Sequence, residues 1–192
     1  MFLNDFLSEN RGFSIQAATS ILMFLSLGNA CGLFLLGGGL AQRLYLADTR
    51  YPALLAGYSA MAGCIPLWFL LNRVTSETPY WQVIFIAASA GFASGPTGPI
   101  VKATLTNVTL PQARGQAFAF FNLFDDFGKG LGPFFVSLLI SNSGGRLEAF
   151  NLGLLGWAVC GLANLAIFFF VEKDEAAMQA EMILRAERDL SS

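Results

Sequence analysis

Five stretches of this chain stay apolar for about twenty residues or more, and that length decides what solvent can surround them. A helix climbs 1.5 Å per residue, so about 20 apolar residues cross the roughly 30 Å of hydrocarbon in a bilayer. The runs lie at about Ser14–Leu40, Tyr51–Leu71, Trp81–Val101, Gln116–Ile140 and Ala149–Val171. Short polar segments join them: "AQRLYLADTR", "NRVTSETPY", "KATLTNVTLPQARG" and "SNSGGRLE". Only helices and closed barrels satisfy every backbone group in lipid, and the strict alternation of barrel strands is missing. The sequence therefore predicts an all-α membrane protein, a five-span helical bundle over residues 14–171. Residues 1–13 precede it, and residues 172–192 form a charged, helix-friendly tail. Glu181 and Arg185 stand four apart in that tail, where a helix pairs them, and the tail reads as a solvated continuation of the fifth span.

Charge and residue usage narrow the functions open to the chain. Charged residues make up 12%, against about 25% in soluble domains. There is no histidine, which removes most imidazole catalysis and the commonest metal ligand. Cys31, Cys64 and Cys160 are far apart in apolar runs and read as small buried hydrophobes, with no zinc or redox spacing. Net charge is −2, which argues against a nucleic-acid partner. No metal, no cofactor and no enzymatic activity are expected. A "DFG" at Asp126–Gly128 lacks the rest of the kinase signature. The sequon at Asn107–Thr109 falls on the side expected to be cytoplasmic.

Orientation follows the basic residues of the loops. Arg43, Arg50, Lys102, Arg114, Lys173, Arg185 and Arg188 collect on one side, and Arg11, Arg73 and Arg146 on the other. The richer side, with the C-terminal tail, is expected to be cytoplasmic, so five spans put the N-terminus outside. "MFLNDFLSENRGFS" has no basic n-region and no long apolar core, so it is not a signal peptide. An upstream portion is expected, with Met1–Phe6 the end of a truncated helix.

The spans differ in polarity. The second carries no charge and no Asn or Gln, and the fifth little beyond Asn151 and Asn164, so both are expected at the lipid-facing periphery. The first holds Asn29 and the pair Gly28 and Gly32, a G-x-x-x-G spacing that lets helices approach closely. The third holds Gly91 and Gly95, then "GPTGP", where Pro96 and Pro99 each remove a backbone donor. Gly95, Pro96, Gly98 and Pro99 form either a packed kink or a break lining a cavity. In the fourth span Asp125, Asp126 and Lys129 fall near mid-membrane. Insertion scales set each such charge at roughly 3 kcal/mol, so lipid exposure of all three is disfavoured. On a helix Lys129 lies roughly 40° from Asp125 and 60° from Asp126, on opposite sides, with Asn122 on the same stripe. One lysine offsets one carboxylate well, which makes the other a candidate proton carrier. A static ion-pair network joining this helix to a neighbour is the other reading.

Two motifs carry a resemblance. "P-x-x-R-G-x-A-x-A" at Pro111–Ala119 and "D-D-F-G-K-G-L-G-P" at Asp125–Pro133 resemble the C-terminal half of a major facilitator superfamily transporter, most like the spinster-like branch. The resemblance implies twelve spans in two halves, with these five as helices eight to twelve. It implies a missing N-terminal half as partner, alternating access and a small-molecule substrate between the halves. A lipid-like amphiphile such as a lysolipid or sphingolipid suits the Phe-rich interior, with sugars and organic anions open as alternatives. Membrane lipids are the other expected partner. Gly128, Gly132 and Pro133 resemble the family's G-x-x-x-G-P packing signature, and Arg114 sits in the matching loop. The loop motif G-x-x-x-D-R/K-x-G-R/K falls from Gly38 through Arg43, but Gln42 replaces its Asp and Tyr45 its later Gly. From another class, a non-transporting membrane subunit that binds lipid or a partner complex fits the same composition.

Overall fold

The computed structural model describes residues 2–142 and 145–191, and every regular element among them is helical. A short helix, α1 (Phe2–Asp5), runs into a π-wound turn, Phe6–Asn10. Ser14 then caps the first long helix: its backbone is extended and its Oγ accepts from the Ala17 N–H at 3.2 Å. That helix is α2 (Ile15–Gly32), a π-wound segment (Leu33–Leu40) through the "GGG" run, and α3 (Ala41–Ala47). α4 covers Tyr51–Asn72. The third run is α5 (Tyr80–Ser94) and α6 (Thr97–Asn107), interrupted at Gly95–Pro96. α7 is Arg114–Asn142, α8 is Arg146–Ile167 and α9 is Val171–Ser191. Four helical runs are long and apolar enough to cross a membrane: Ile15–Ala47, Tyr51–Asn72, Tyr80–Asn107 and Arg146–Ile167. α7 is long enough, but any stretch of it that could cross contains Asp125, Asp126 and Lys129, so it is not among them.

Glycine sets the closest packing. The two G-x-x-x-G pairs face each other across α2 and α5. A Cβ on Gly28 would lie 2.1 Å from the Ala88 carbonyl oxygen, and one on Gly32 2.1 Å from that of Phe92. In return, a Cβ on Gly91 would meet the Leu25 oxygen at 1.9 Å, and one on Gly95 the Asn29 oxygen at 2.4 Å. The hydrogen that glycine carries there points at each carbonyl, a weak C–H···O contact that only this approach allows. A second such contact joins α4 to α8. A Cβ on Gly57 would meet Leu165 Cδ2 at 2.5 Å and the Gly161 oxygen at 2.9 Å, and one on Gly161 would meet Met61 Cγ at 2.7 Å.

Three expectations need correction. The second span is not simply peripheral: α4 packs against α5, α6 and α8, with Ala53, Ala56, Gly57, Ala60 and Gly63 buried. Its exposed stripe is Tyr58, Ala62, Ile65 and Phe69. Absence of charge fits lipid and protein neighbours equally; the small residues mark the packed face. The tail does not continue the fifth span unbroken. The Phe168, Phe169 and Phe170 N–H groups bond three residues back, and this tight turn redirects the chain so that Val171 and Glu175 are buried. Cys31 and Cys160 are exposed, because an apolar thiol on an outward helix face loses nothing against lipid.

The polar groups sort to two ends. At one, Arg11 donates to the Leu71 carbonyl, the Ser76 N–H donates to the Arg11 carbonyl at 3.1 Å, and Arg146 pairs with Glu9. Asn72 and Asn151 exchange two hydrogen bonds there, 2.8 and 3.1 Å. At the other, Arg50 pairs with Glu172 at 3.2 Å and holds both Asp48 oxygens. That bonding keeps the Asp48 carboxyl below the usual carboxylate range. α7 starts near Asn107, at this second end, and is followed by Arg146 at the first, so it runs the height of the bundle. If α7 crosses the membrane, Gln112→Cys and Glu148→Cys, on either side of it and in a cysteine-free background, should label from opposite faces, with Gln112 cytoplasmic. Labelling of Gln112→Cys and Glu148→Cys from one face would remove α7 from the spans, and labelling of Ser76→Cys from the cytoplasm alone would reverse the orientation.

Candidate functional site

α7 begins in a loop that Arg114 braces, its Nε donating to the Thr109 carbonyl at 3.3 Å. Lys102 lies over the Phe121 ring at 5.7 Å and ties α6 to the first turns of α7. Beyond that, α7 packs mainly on α8. Asp125 is half-buried, while Asn122, Asp126 and Gly128 are exposed. The side chains of Lys129 and Pro133 lie outside the described residues. Phe120, Phe124, Phe127 and Phe134 are exposed on the same helix. Polar and aromatic groups thus share a helix that the other described elements do not enclose. The close packing expected at Gly128 and Gly132 is not made among the described residues: a Cβ on either would meet nothing within 4 Å. No described element of this chain lies against that face.

The third-span candidates divide. Gly95 and Pro96 are buried against the first long helix: Gly95 meets the Asn29 backbone, and a Cβ on Gly37 would sit 3.2 Å from Pro96 Cα. The Gly95 N–H still donates to the Gly91 carbonyl at 3.0 Å, so the interruption is a tight kink. Gly98 is exposed with open space around it, and Pro99 and Asn29 are half-buried. Sequence reasoning missed the clamp beside the kink. Thr97 Oγ1 lies 3.2 Å from Ser59 Oγ and donates to the Ala56 carbonyl at 3.3 Å. The signal for it was two hydroxyls inside otherwise apolar runs. Arg43 is exposed. Among the described residues no group of three His, Cys, Asp or Glu side chains is placed to hold a metal ion.

Long apolar helices joined through glycine backbones, with their polar groups sorted to two ends, define an integral membrane protein of the helical class. The family model described as Major Facilitator Superfamily matches residues 1–186, and the chain belongs to that family. It is a family of membrane transport proteins and not of enzymes. The chain is also similar to Autophagy-related protein 22 of Yarrowia lipolytica, 26% identical over 135 residues, which is 67% of this chain and 22% of that protein. The chain thus spans well under a third of the length of the curated relative it matches. No solved structure matches it.

Proposed function

We propose that this chain is the C-terminal half of a secondary transporter of the spinster-like branch, and that it works by alternating access with a second bundle. On this reading α7 is a fifth span, and the spans correspond to helices eight to twelve, with the C-terminal tail in the cytoplasm. The observation that carries it is the open side of α7, where Asn122 and Asp126 are exposed beside Gly128 and Gly132. Polar side chains on an apolar helix are costly against lipid, and a glycine face lets a facing bundle approach closely. In transporters built of repeats, substrate sites lie near mid-membrane between the halves. The partner is then the N-terminal half, with membrane lipids around both.

The substrate proposed is a lipid-like amphiphile, a lysolipid or sphingolipid, which the exposed phenylalanines of α7 would accompany along the path, with movement coupled to protons. The test reconstitutes the full-length protein containing this segment in liposomes and measures uptake of a labelled lysolipid with and without an imposed pH gradient. Uptake that follows the gradient is expected. Uptake of sugars or organic anions in its place would overturn the substrate class. No uptake of any solute would favour a non-transporting subunit that binds lipid or a partner.

A further inference from the structure

At the Asn107 end a cavity of about 200 Å³ opens between the π-wound end of the first long helix, α3, α6 and the start of α9. Gly37 and Gly38 leave room for it at the helix surface. Its polar lining is Gln42, Tyr45, Thr49, Thr104, Asn107 and Glu175. Glu175 is 4% exposed, the most enclosed carboxylate among the described residues. One of its oxygens, Oε1, accepts from the Tyr45 hydroxyl and, at 3.4 Å, from Gln179 Nε2. The other, Oε2, is buried with no hydrogen-bond donor among the described residues. None of the lining residues is Lys or Arg. The nearby Arg50 is engaged with Asp48 and Glu172.

A buried carboxylate with one oxygen bare is expensive unless a cation or donor meets it. The walls supply neutral oxygens and amides, but no positive charge. The cavity is also too large for a bare ion, since a water-sized group takes about 30 Å³. Ile100, Pro52 and Val171 give it an apolar side. Gln42 and Tyr45 are also positions at which the loop departs from the motif it resembles.

We propose that this cavity binds a small organic ammonium ion, with its charged end toward the Glu175 carboxylate and its short carbon stem against Ile100, Pro52 and Val171. Bound there, it bridges α3, α6 and α9 and holds the tail helix on the bundle. The site is separate from the α7 cluster and does not depend on the transport reading.

The experiment follows thermal unfolding of the full chain in lipid nanodiscs with ethylammonium chloride, with sodium chloride at equal ionic strength, and with ethanol. Any ligand that binds only the folded state raises the midpoint. Ethylammonium should raise it by about 3 °C over sodium chloride, and ethanol should not. Glu175→Gln, which keeps the shape and the Tyr45 contact but removes the charge, should abolish the rise. Thr104→Val should weaken it and serves where the Gln variant fails to fold. No rise in the natural chain, an equal rise with sodium chloride, or a rise that survives Glu175→Gln or, in its place, Thr104→Val would each overturn the proposal.

Discussion

Gly91→Leu should prevent the chain from folding to a monodisperse species in detergent, while Gly156→Leu should be tolerated. The first Cβ carbon alone would lie 1.9 Å from the Leu25 carbonyl oxygen and 2.8 Å from the Asn29 nitrogen. Those are backbone atoms of a helix already held along its length, so no rotamer change relieves the clash. α2 and α5 would have to separate by on the order of 1 Å, and packed interiors transmit such shifts instead of absorbing them. Gly28, Gly32 and Gly95 lie in the same contact, so one separation opens the whole seam. Overpacking costs typically 1–3 kcal/mol, and a clash with backbone belongs at about 3 kcal/mol or beyond. Gly156 in α8 has nothing within 4 Å of its Cβ position, and a leucine there adds apolar surface to an outward face. Size-exclusion profiles and thermal midpoints in detergent measure both variants. Equal midpoints for Gly91→Leu and the natural chain would show that α2 and α5 do not meet through these glycines.

The glycines of the seam were legible in the sequence because each pair stands at helical spacing inside a single span; which spans they join was not. The Gly57–Gly161 contact was not legible. Each of these glycines stands alone among alanines and leucines, and the pairing exists only once α4 and α8 are side by side. The enclosure of α4 was missed for a related reason. A charge-free helix is consistent with lipid on every side, and only the run Ala53, Ala56, Gly57, Ala60 and Gly63 gives a packed face away. Polar pairs such as Asn72 with Asn151 were hidden because both residues sit at span ends, where asparagine is ordinary.

The cavity at Glu175 could not be read from the sequence at all. Its walls come from segments more than a hundred residues apart, and Glu175 stands among Glu172, Lys173 and Asp174 in a tail that looks uniformly solvated. The kink at Phe168–Phe170 turns this one carboxylate inward, where Tyr45 meets it. The Glu181–Arg185 pair, by contrast, follows from local helical spacing, and it is made at 2.8 Å, which holds the Glu181 carboxyl below its usual range. Local periodicity carried the helices and this pair, but not the helix ends: the first and third helical runs continue to Ala47 and Asn107, into segments that read as loops. Side-to-side placement of the helices needed their three-dimensional packing.

Asp125→Asn and Asp126→Asn should have different effects on transport, one lowering pH-driven uptake on the order of tenfold, the range of a few kcal/mol or less over which coupled sites act, and the other leaving coupling intact but reducing stability. The reasoning starts from charge. Two adjacent carboxylates on an apolar helix, with Lys129 one turn on, cannot both be offset by that one cation. On the transport reading proposed above, the carboxylate best served by the lysine is the structural one, and its neutral replacement would lose an ion pair. On the same reading, the other exchanges a proton as the path opens and closes, a role an asparagine cannot fill. Asp126 is the exposed member and Asp125 the half-buried one, so Asp126 is the expected carrier and Asp125 the structural partner. Lys129→Ala should then cost more stability than either asparagine change, because it leaves two carboxylates together. The measurement is lysolipid uptake across a series of imposed pH gradients in liposomes holding the full-length protein, alongside thermal midpoints of each variant. Unchanged pH dependence in both asparagine variants would make the cluster an ion-pair network with no part in coupling. Loss of coupling in Asp125→Asn alone would exchange the two roles.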